Sequence, residues 1–363
     1  MKVFQIIPHL DVGGCERVAL NIAESRSAGF EYHVVEVYRG RGAVSDALAE
    51  ELKAAGVILH RAPKTATSPK AGILLFPFWF PSLAKASRPD IVHCHNEISL
   101  LAYYLSCKLS CRRRTESVVE TIHSCQLWNG WKRVGKVVEH FYQVRGKQVA
   151  VSTAVAQMYS REFGYEPEVI YNGVRRQEAK PFPHLVSGRI NILFAARMEE
   201  QKGVKTLIDV ASSPSLSPNL HFHVVGDGPM KPTVDKALSG FGNVSLYHRV
   251  HNIASYIESF DYVFMPSLFE GLPMLSIESS MAGTPVIGND CPSIVESLPE
   301  RWPLLVHDNN VNDYLSIFST LENADRKELS EKAREYAQRQ FSIERMQGEY
   351  EKMYLEQDTG PRS

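Results

Sequence analysis

The chain reads as an α/β protein with parallel sheets, arranged in two halves. Three observations carry that reading. Short apolar runs alternate with helical patterns along most of the sequence. At 363 residues it is long for one hydrophobic core and natural for two. Residues 175–187, with Pro181 and Pro183, have linker composition, and a fresh strand begins beyond them at Asn191.

In the first half, residues 2–7 (KVFQII) form a strand and Gly13 and Gly14 a loop. From Cys15 a helix places Val18, Ala19, Ile22 and Ala23 on one face. Two glycines between strand and helix let a ligand approach the backbone and leave helix amides for phosphate. The dinucleotide pattern G-x-G-x-x-G is absent there. Alternation continues through 32–37, 45–55 and 57–59. Residues 73–81 (ILLFPFWFP), aromatic and interrupted by prolines, read as a connection that is buried or meets lipid, with burial expected. In the strand of 89–96, His93 and His95 alternate, so they point to opposite faces and cannot share a metal, and His95 caps or lines the ligand crevice. The strand of 118–123 ends in His123, that of 149–152 in a helix-capping Ser152, and 169–174 closes the half.

The second half restarts with the strand 191–195, then a loop carrying Arg197 and Lys202 into a helix from Val204. A fork-shaped guanidinium and a point-charge ammonium beside free helix amides suit a diphosphate. Residues 224–229 (VVGDGP) are a strand and a glycine turn. Residues 262–265 (YVFM) are a buried strand, followed by a loop with Gly271 and Pro273. The helix after it carries Leu275, Ile277 and Met281, ends at Gly283, and hands over to a strand from Pro285. Glu270 falls on that loop and Glu278 on or near the first turns of the helix, where open α/β sheets bind ligands. Carboxylates accept from hydroxyls and helix amides take an anion, so a polyhydroxylated ligand with phosphate fits. After Val306 the chain turns polar and helical, with a last helix over about 343–356.

Net charge is −1, which gives no bias towards nucleic acid, but residues 1–172 carry +5 and residues 173–363 carry −6. The first half is therefore the side for an anionic partner. There Arg112–Arg114, Trp128, Trp131, Lys132, Arg133, Lys136, Arg145 and Lys147 form a basic, aromatic region suited to an anionic bilayer. Six scattered cysteines read as reduced thiols; Cys107 and Cys111 share a helix face, with no second pair to complete a zinc site. With no signal peptide and no apolar run of spanning length, the expected location is cytoplasmic, peripheral on the inner face of the membrane where the basic region engages it.

The residues Glu270-Gly271-Leu272-Pro273-Met274, Ser276 to Glu278, and Ala282-Gly283-Thr284-Pro285-Val286-Ile287 resemble the signature of retaining glycosyltransferases of family 4. The resemblance is strongest over 190–300. It implies the GT-B fold: two Rossmann-like domains with a crevice between them. The acceptor domain would be residues 1–175, with the helix of about 343–358 packing back on it, and the nucleotide-sugar domain residues 188–342. By resemblance Glu270 contacts the donor sugar, with Gly271, Leu272 and Pro273 on the same donor loop. Glu278 holds the ribose, and Arg197 and Lys202 take the diphosphate. Gly13 and Gly14 lie across from the diphosphate, Arg249 and Val250 near the base, and His123 near the reaction centre. Leu272 and Pro273 depart from the glycine and aromatic residues of many relatives, which bears on sugar preference. The expected function is transfer of a sugar, with retention and without metal or other cofactor, from a uridine diphosphate donor to a hydroxyl of a glycan or polyprenyl-linked glycan in cell-surface polysaccharide synthesis. No D-x-D motif is present. The alternatives are a nucleotide-sugar epimerase of related fold and a non-catalytic nucleotide-sugar-binding protein.

Overall fold

The computed structural model describes residues 1–11, 13–25, 27–110 and 116–358. These form two units. One is Met1–Gly173 with the closing helix Ile343–Asp358, the other Val174–Ser342.

In the first unit, β1 (Lys2–Ile7), β2 (Glu31–Glu36), β3 (Ile58–His60), β4 (Ile91–Cys94), β5 (Ser117–Ile122), β6 (Gly146–Ala150) and β7 (Glu168–Val169) form one sheet in the order β3-β2-β1-β4-β5-β6-β7. Every pairing is parallel. KVFQII in β1 and SVVETI in β5 are buried beyond their first residue, as a sheet covered on both faces requires. The order reverses between β1 and β4, so their carboxyl ends open a switch point, the usual ligand position in such sheets. On the closing helix Met346, Tyr350, Met353 and Tyr354 are buried at helical spacing.

The second unit repeats the design with β8 (Ile190–Ala195), β9 (Leu220–Val225), β10 (Val244–Tyr247), β11 (Tyr262–Met265), β12 (Val286–Asn289) and β13 (Leu305–Val306), ordered β10-β9-β8-β11-β12-β13 and all parallel. Its switch point lies between β8 and β11. Residues 175–187 run along this unit: Phe182 is buried among Tyr247, Tyr256 and Phe260, and its amide donates to Ser259 Oγ at 3.1 Å.

Three expectations are corrected. The proline-interrupted run of 73–81 is not a connection but the middle of one helix, Pro69–Ser87, with Pro77 and Pro81 inside it. Phe76, Phe80 and Ala84 recur every fourth residue and are buried, which outweighs the backbone bonds the prolines remove. His93 and His95 do not point apart: β4 ends at Cys94, and the two rings approach to 4.0 Å between centroids. Trp128 is no surface residue, since it is 6% exposed and its indole N–H donates to buried Glu139 at 2.6 Å. Cys111 and Arg112–Arg114 lie outside the described residues. Among the described residues no helix is long and apolar enough to cross a membrane.

Candidate active site

The carboxyl ends of β8 and β11 bring Lys202 and Glu270 together. After β8 the chain passes Arg197 and makes a single 3₁₀ turn, Glu200–Lys202, before the helix Val204–Ala211. Gly203 joins turn to helix at φ 68°, and a Cβ there would overlap the carbonyl oxygen of Pro266, just beyond β11. That close approach lets the two loops share hydrogen bonds: the Leu268 amide donates to the Gln201 carbonyl at 2.8 Å, and Gln201 Nε2 to that of Phe269 at 3.0 Å. Lys202 Nζ then sits 2.6 and 2.8 Å from the two carboxylate oxygens of Glu270, which is only 8% exposed. Arg197 is not drawn into this pair. Its side chain is 70% exposed and pairs with Glu199 at 3.0 Å.

Gly271, Leu272 and Pro273 carry the chain from Glu270 into the helix Met274–Ala282, with Pro273 at its N-cap position. Two amides of that first turn, those of Ser276 and Ile277, bond back to the Pro273 carbonyl. Glu278 is the fifth residue of the helix and lines a shallow cleft with Arg175, Gln177, Ser255 and Met281. Glu270, Lys202 and Arg197 are not among the residues lining that cleft. Arg249 and Val250 follow β10, where Asp227 of the glycine turn accepts from the Arg249 amide at 2.9 Å and pairs with His248 at 2.7 Å. Those two bonds hold the Asp227 carboxyl below its usual range.

In the first unit, Gly13 precedes the helix Gly14–Ala23 in extended backbone, and the Glu16 carboxylate folds over the space a Cβ would take. His123 follows β5, half-buried, with Nε2 3.2 Å from His95 Nδ1. Burial pushes its pKa down to about 3, so the ring is neutral.

Several positioning residues carry no local sequence signal. Glu36, fully buried, accepts from the amides of Leu10 and Gly40 at 3.0 and 3.1 Å and from Arg61 Nε at 2.7 Å, which shapes the loop after β1. Asn289 donates to the Ser267 carbonyl at 3.0 Å, and Asn309 to that of Pro266 at 2.9 Å, tying the Glu270 loop to the ends of β12 and β13. Asn289 ends β12 and Asn309 follows β13, and only the fold brings them to that loop. Among the described residues no three His, Cys, Asp or Glu groups are placed to hold a metal ion.

Two family models match. Residues 12–178 match the model described as Glycosyltransferase Family 4, and residues 189–322 that described as Glycosyl transferases group 1. An uncharacterized 41.2 kDa protein in the cps region of Klebsiella pneumoniae is 28% identical over 46% of this chain and 46% of its own length, so the match spans less than half of that relative. The capsular polysaccharide biosynthesis glycosyltransferase CapH of Staphylococcus aureus is 22% identical over 77% of this chain and 78% of its own. Among solved structures, that of Anabaena HepE in complex with UDP-glucose superposes with a TM-score of 0.77 at 15% identity, covering 98% of this chain and 100% of that one. At that identity the likeness shows the fold, two Rossmann-like halves of the GT-B kind. With both halves matched, the chain belongs to the glycosyltransferases of family 4, the group 1 glycosyl transferases.

Proposed function

We propose that this glycosyltransferase moves a sugar from a uridine diphosphate donor to a hydroxyl of a glycan or lipid-linked glycan in polysaccharide biosynthesis, with retention and without a metal ion. The observation that carries this is the Lys202–Glu270 pair at the switch point of the second sheet. The name of CapH supports the pathway, and UDP-glucose on HepE supports the donor class. A diphosphate arriving at Lys202 competes with the carboxylate for the ammonium. The carboxylate so released accepts hydrogen bonds from sugar hydroxyls, which makes one pair of residues read both ends of the donor. Arg197, itself exposed and paired with half-buried Glu199, turns to the diphosphate at little cost. Charge on the departing diphosphate is met by these two cations and by the amides near Gly271.

The remaining assignments belong to the same reading. Glu278 takes the ribose, Arg249 and Val250 flank the base, the Gly13–Gly14 loop faces the phosphates, and His123 meets the donor sugar. The second unit binds the nucleotide sugar and the first the acceptor. The first unit also presents an exposed basic and apolar face, which suits a peripheral contact with an anionic bilayer.

The test is uridine diphosphate release from a panel of donor sugars, with and without EDTA. Wild type should release it slowly from one donor, indifferent to EDTA, and Lys202→Ala and Glu270→Ala should each lose about 10²–10³-fold in kcat. Release that requires added metal would remove the metal-free mechanism. Free sugar and diphosphate made at full rate with no acceptor would favour the epimerase. Tight donor binding without turnover under any acceptor would leave only a binding protein.

A further inference from the structure

A buried polar chain in the first unit runs from His123 to the closing helix. His95 Nε2 lies 2.5 Å from Gln5 Oε1, and Gln5 Nε2 donates to the Tyr354 hydroxyl at 3.1 Å. That hydroxyl is 2.7 Å from His93 Nδ1, and His93 Nε2 is 2.7 Å from Thr121 Oγ1. Thr121 in turn meets the Tyr350 hydroxyl at 2.9 Å. Gln5, His93, His95, Thr121, Tyr350 and Tyr354 are each at most 1% exposed.

The direction of this chain follows from one amide. A neutral imidazole has one N–H and one lone pair, and a carbonyl oxygen only accepts. His95 therefore donates from Nε2 to Gln5 Oε1 and keeps its lone pair on Nδ1. His123, facing that lone pair, donates from its own Nε2 and is left with Nδ1 as an acceptor. On the other side, Tyr354 has accepted from Gln5 and gives its proton to His93 Nδ1, so His93 donates from Nε2 to Thr121. All three rings take the same tautomer. Burial holds His93 and His95 well below the usual histidine range, so none of the three gains a second proton near neutral pH.

We propose that Gln5 and His95 are positioning residues that hold His123 as the Nε2–H tautomer and present its Nδ1 as an acceptor to a hydroxyl of the donor sugar. This rests on the reading of His123 as the residue that meets that sugar, and it narrows the substrate. The group opposite His123 must be able to donate, so a donor sugar lacking that hydroxyl forfeits the contact.

The experiment is histidine ¹⁵N NMR on the full chain near neutral pH, with donor turnover measured in parallel. In wild type His93, His95 and His123 should all carry the proton on Nε2, with Nδ1 at the shift of an unprotonated nitrogen. Gln5→Leu removes the acceptor of His95. The two nitrogens of His123 should then average, with kcat down about tenfold and KM within about twofold. An Nδ1–H signature at His123 in wild type overturns the network, and that spectrum decides even if Gln5→Leu fails to fold. A folded Gln5→Leu protein with unchanged His123 shifts overturns it as well. Full donor turnover in His123→Ala, with the tautomers as assigned, instead removes the role of His123 and the proposal with it.

Discussion

Gly203 shows how much of the candidate site hangs on one missing methyl group. Its φ of 68° is costly for any L side chain, and the space beside it is filled by the Pro266 carbonyl. Gly203→Ala should cost about 2–4 kcal/mol, from left-handed strain and overpacking together. Lys202 is the neighbouring residue, so the methyl should also move Nζ off Glu270 and cut donor turnover. A urea titration beside the diphosphate-release assay checks both; an unchanged midpoint would mean the two loops can separate freely. Gly14 is the contrast. It begins a helix, a Cβ there meets nothing within 4 Å, and Gly14→Ala should leave the unfolding free energy within about 1 kcal/mol of wild type. Two adjacent glycines in the sequence read as one loop signal, yet Gly13 is crowded by the flexible end of Glu16 while Gly14 stands in open space.

At the scale of elements, the helices of the first unit offer a surface where apolar and cationic groups mix. Leu74 and Phe78 on the helix Pro69–Ser87 are 67% and 76% exposed, and Trp131, Val137 and Val144, on or beside the helix Lys132–Arg145, are 57%, 56% and 69% exposed. Lys132, Arg133 and Lys136 are exposed on the same segment, although Lys132 is 2.6 Å from Glu162. Charge attraction and interfacial aromatics act together on an anionic bilayer. Neutralising Lys132, Arg133 and Lys136 with Trp131→Ser should weaken partitioning onto phosphatidylglycerol vesicles, read by co-sedimentation, on the order of a hundredfold, as roughly 1 kcal/mol for each of the three cations implies. Equal sedimentation of variant and wild type would dismiss the contact.

These elements also mark what the sequence discloses. Strands such as 2–7 and 262–265 are legible because parallel strands buried on both faces are continuous apolar runs. Lys202 and Glu270 are legible as separate loop residues, but their pairing 68 positions apart is not. The helix Pro69–Ser87 is hidden by its prolines, though its start is written in the Ser68 cap, which accepts from the Ala71 amide, and in Pro69 at the first turn. Gln5 and Tyr354 lie 349 residues apart, beyond any local pattern.

At the scale of the whole molecule, two buried sets of titrating groups should shape stability in opposite directions. Glu120 and Glu139 are each 1% exposed and hydrogen-bond to one another, with Trp128 and Tyr159 also donating to Glu139 and Glu97 nearby. Desolvation raises both carboxyls, Glu120 most, and each also feels neighbouring carboxylate charge. A raised folded pKa means stability fully present below the unfolded value of about 4.3 and lost as pH climbs through the folded values. His93, His95 and His123 are lowered by desolvation, so their contribution is present above about 6.5 and lost as pH falls from there towards their folded values. Stability should therefore fall on both sides of a maximum, the alkaline side belonging to the carboxyl pair. Glu120→Gln stays neutral at every pH. It should lower the urea midpoint only modestly, because its amide can still donate to Glu139 while the atom in the place of Glu120 Oε2 stays buried without a hydrogen-bond partner. It should also flatten the alkaline decline while leaving the acid decline as steep as in wild type. Midpoints measured across about pH 5 to 9 decide it, since a variant profile parallel to wild type on the alkaline side would mean the shared proton is not what that decline reports.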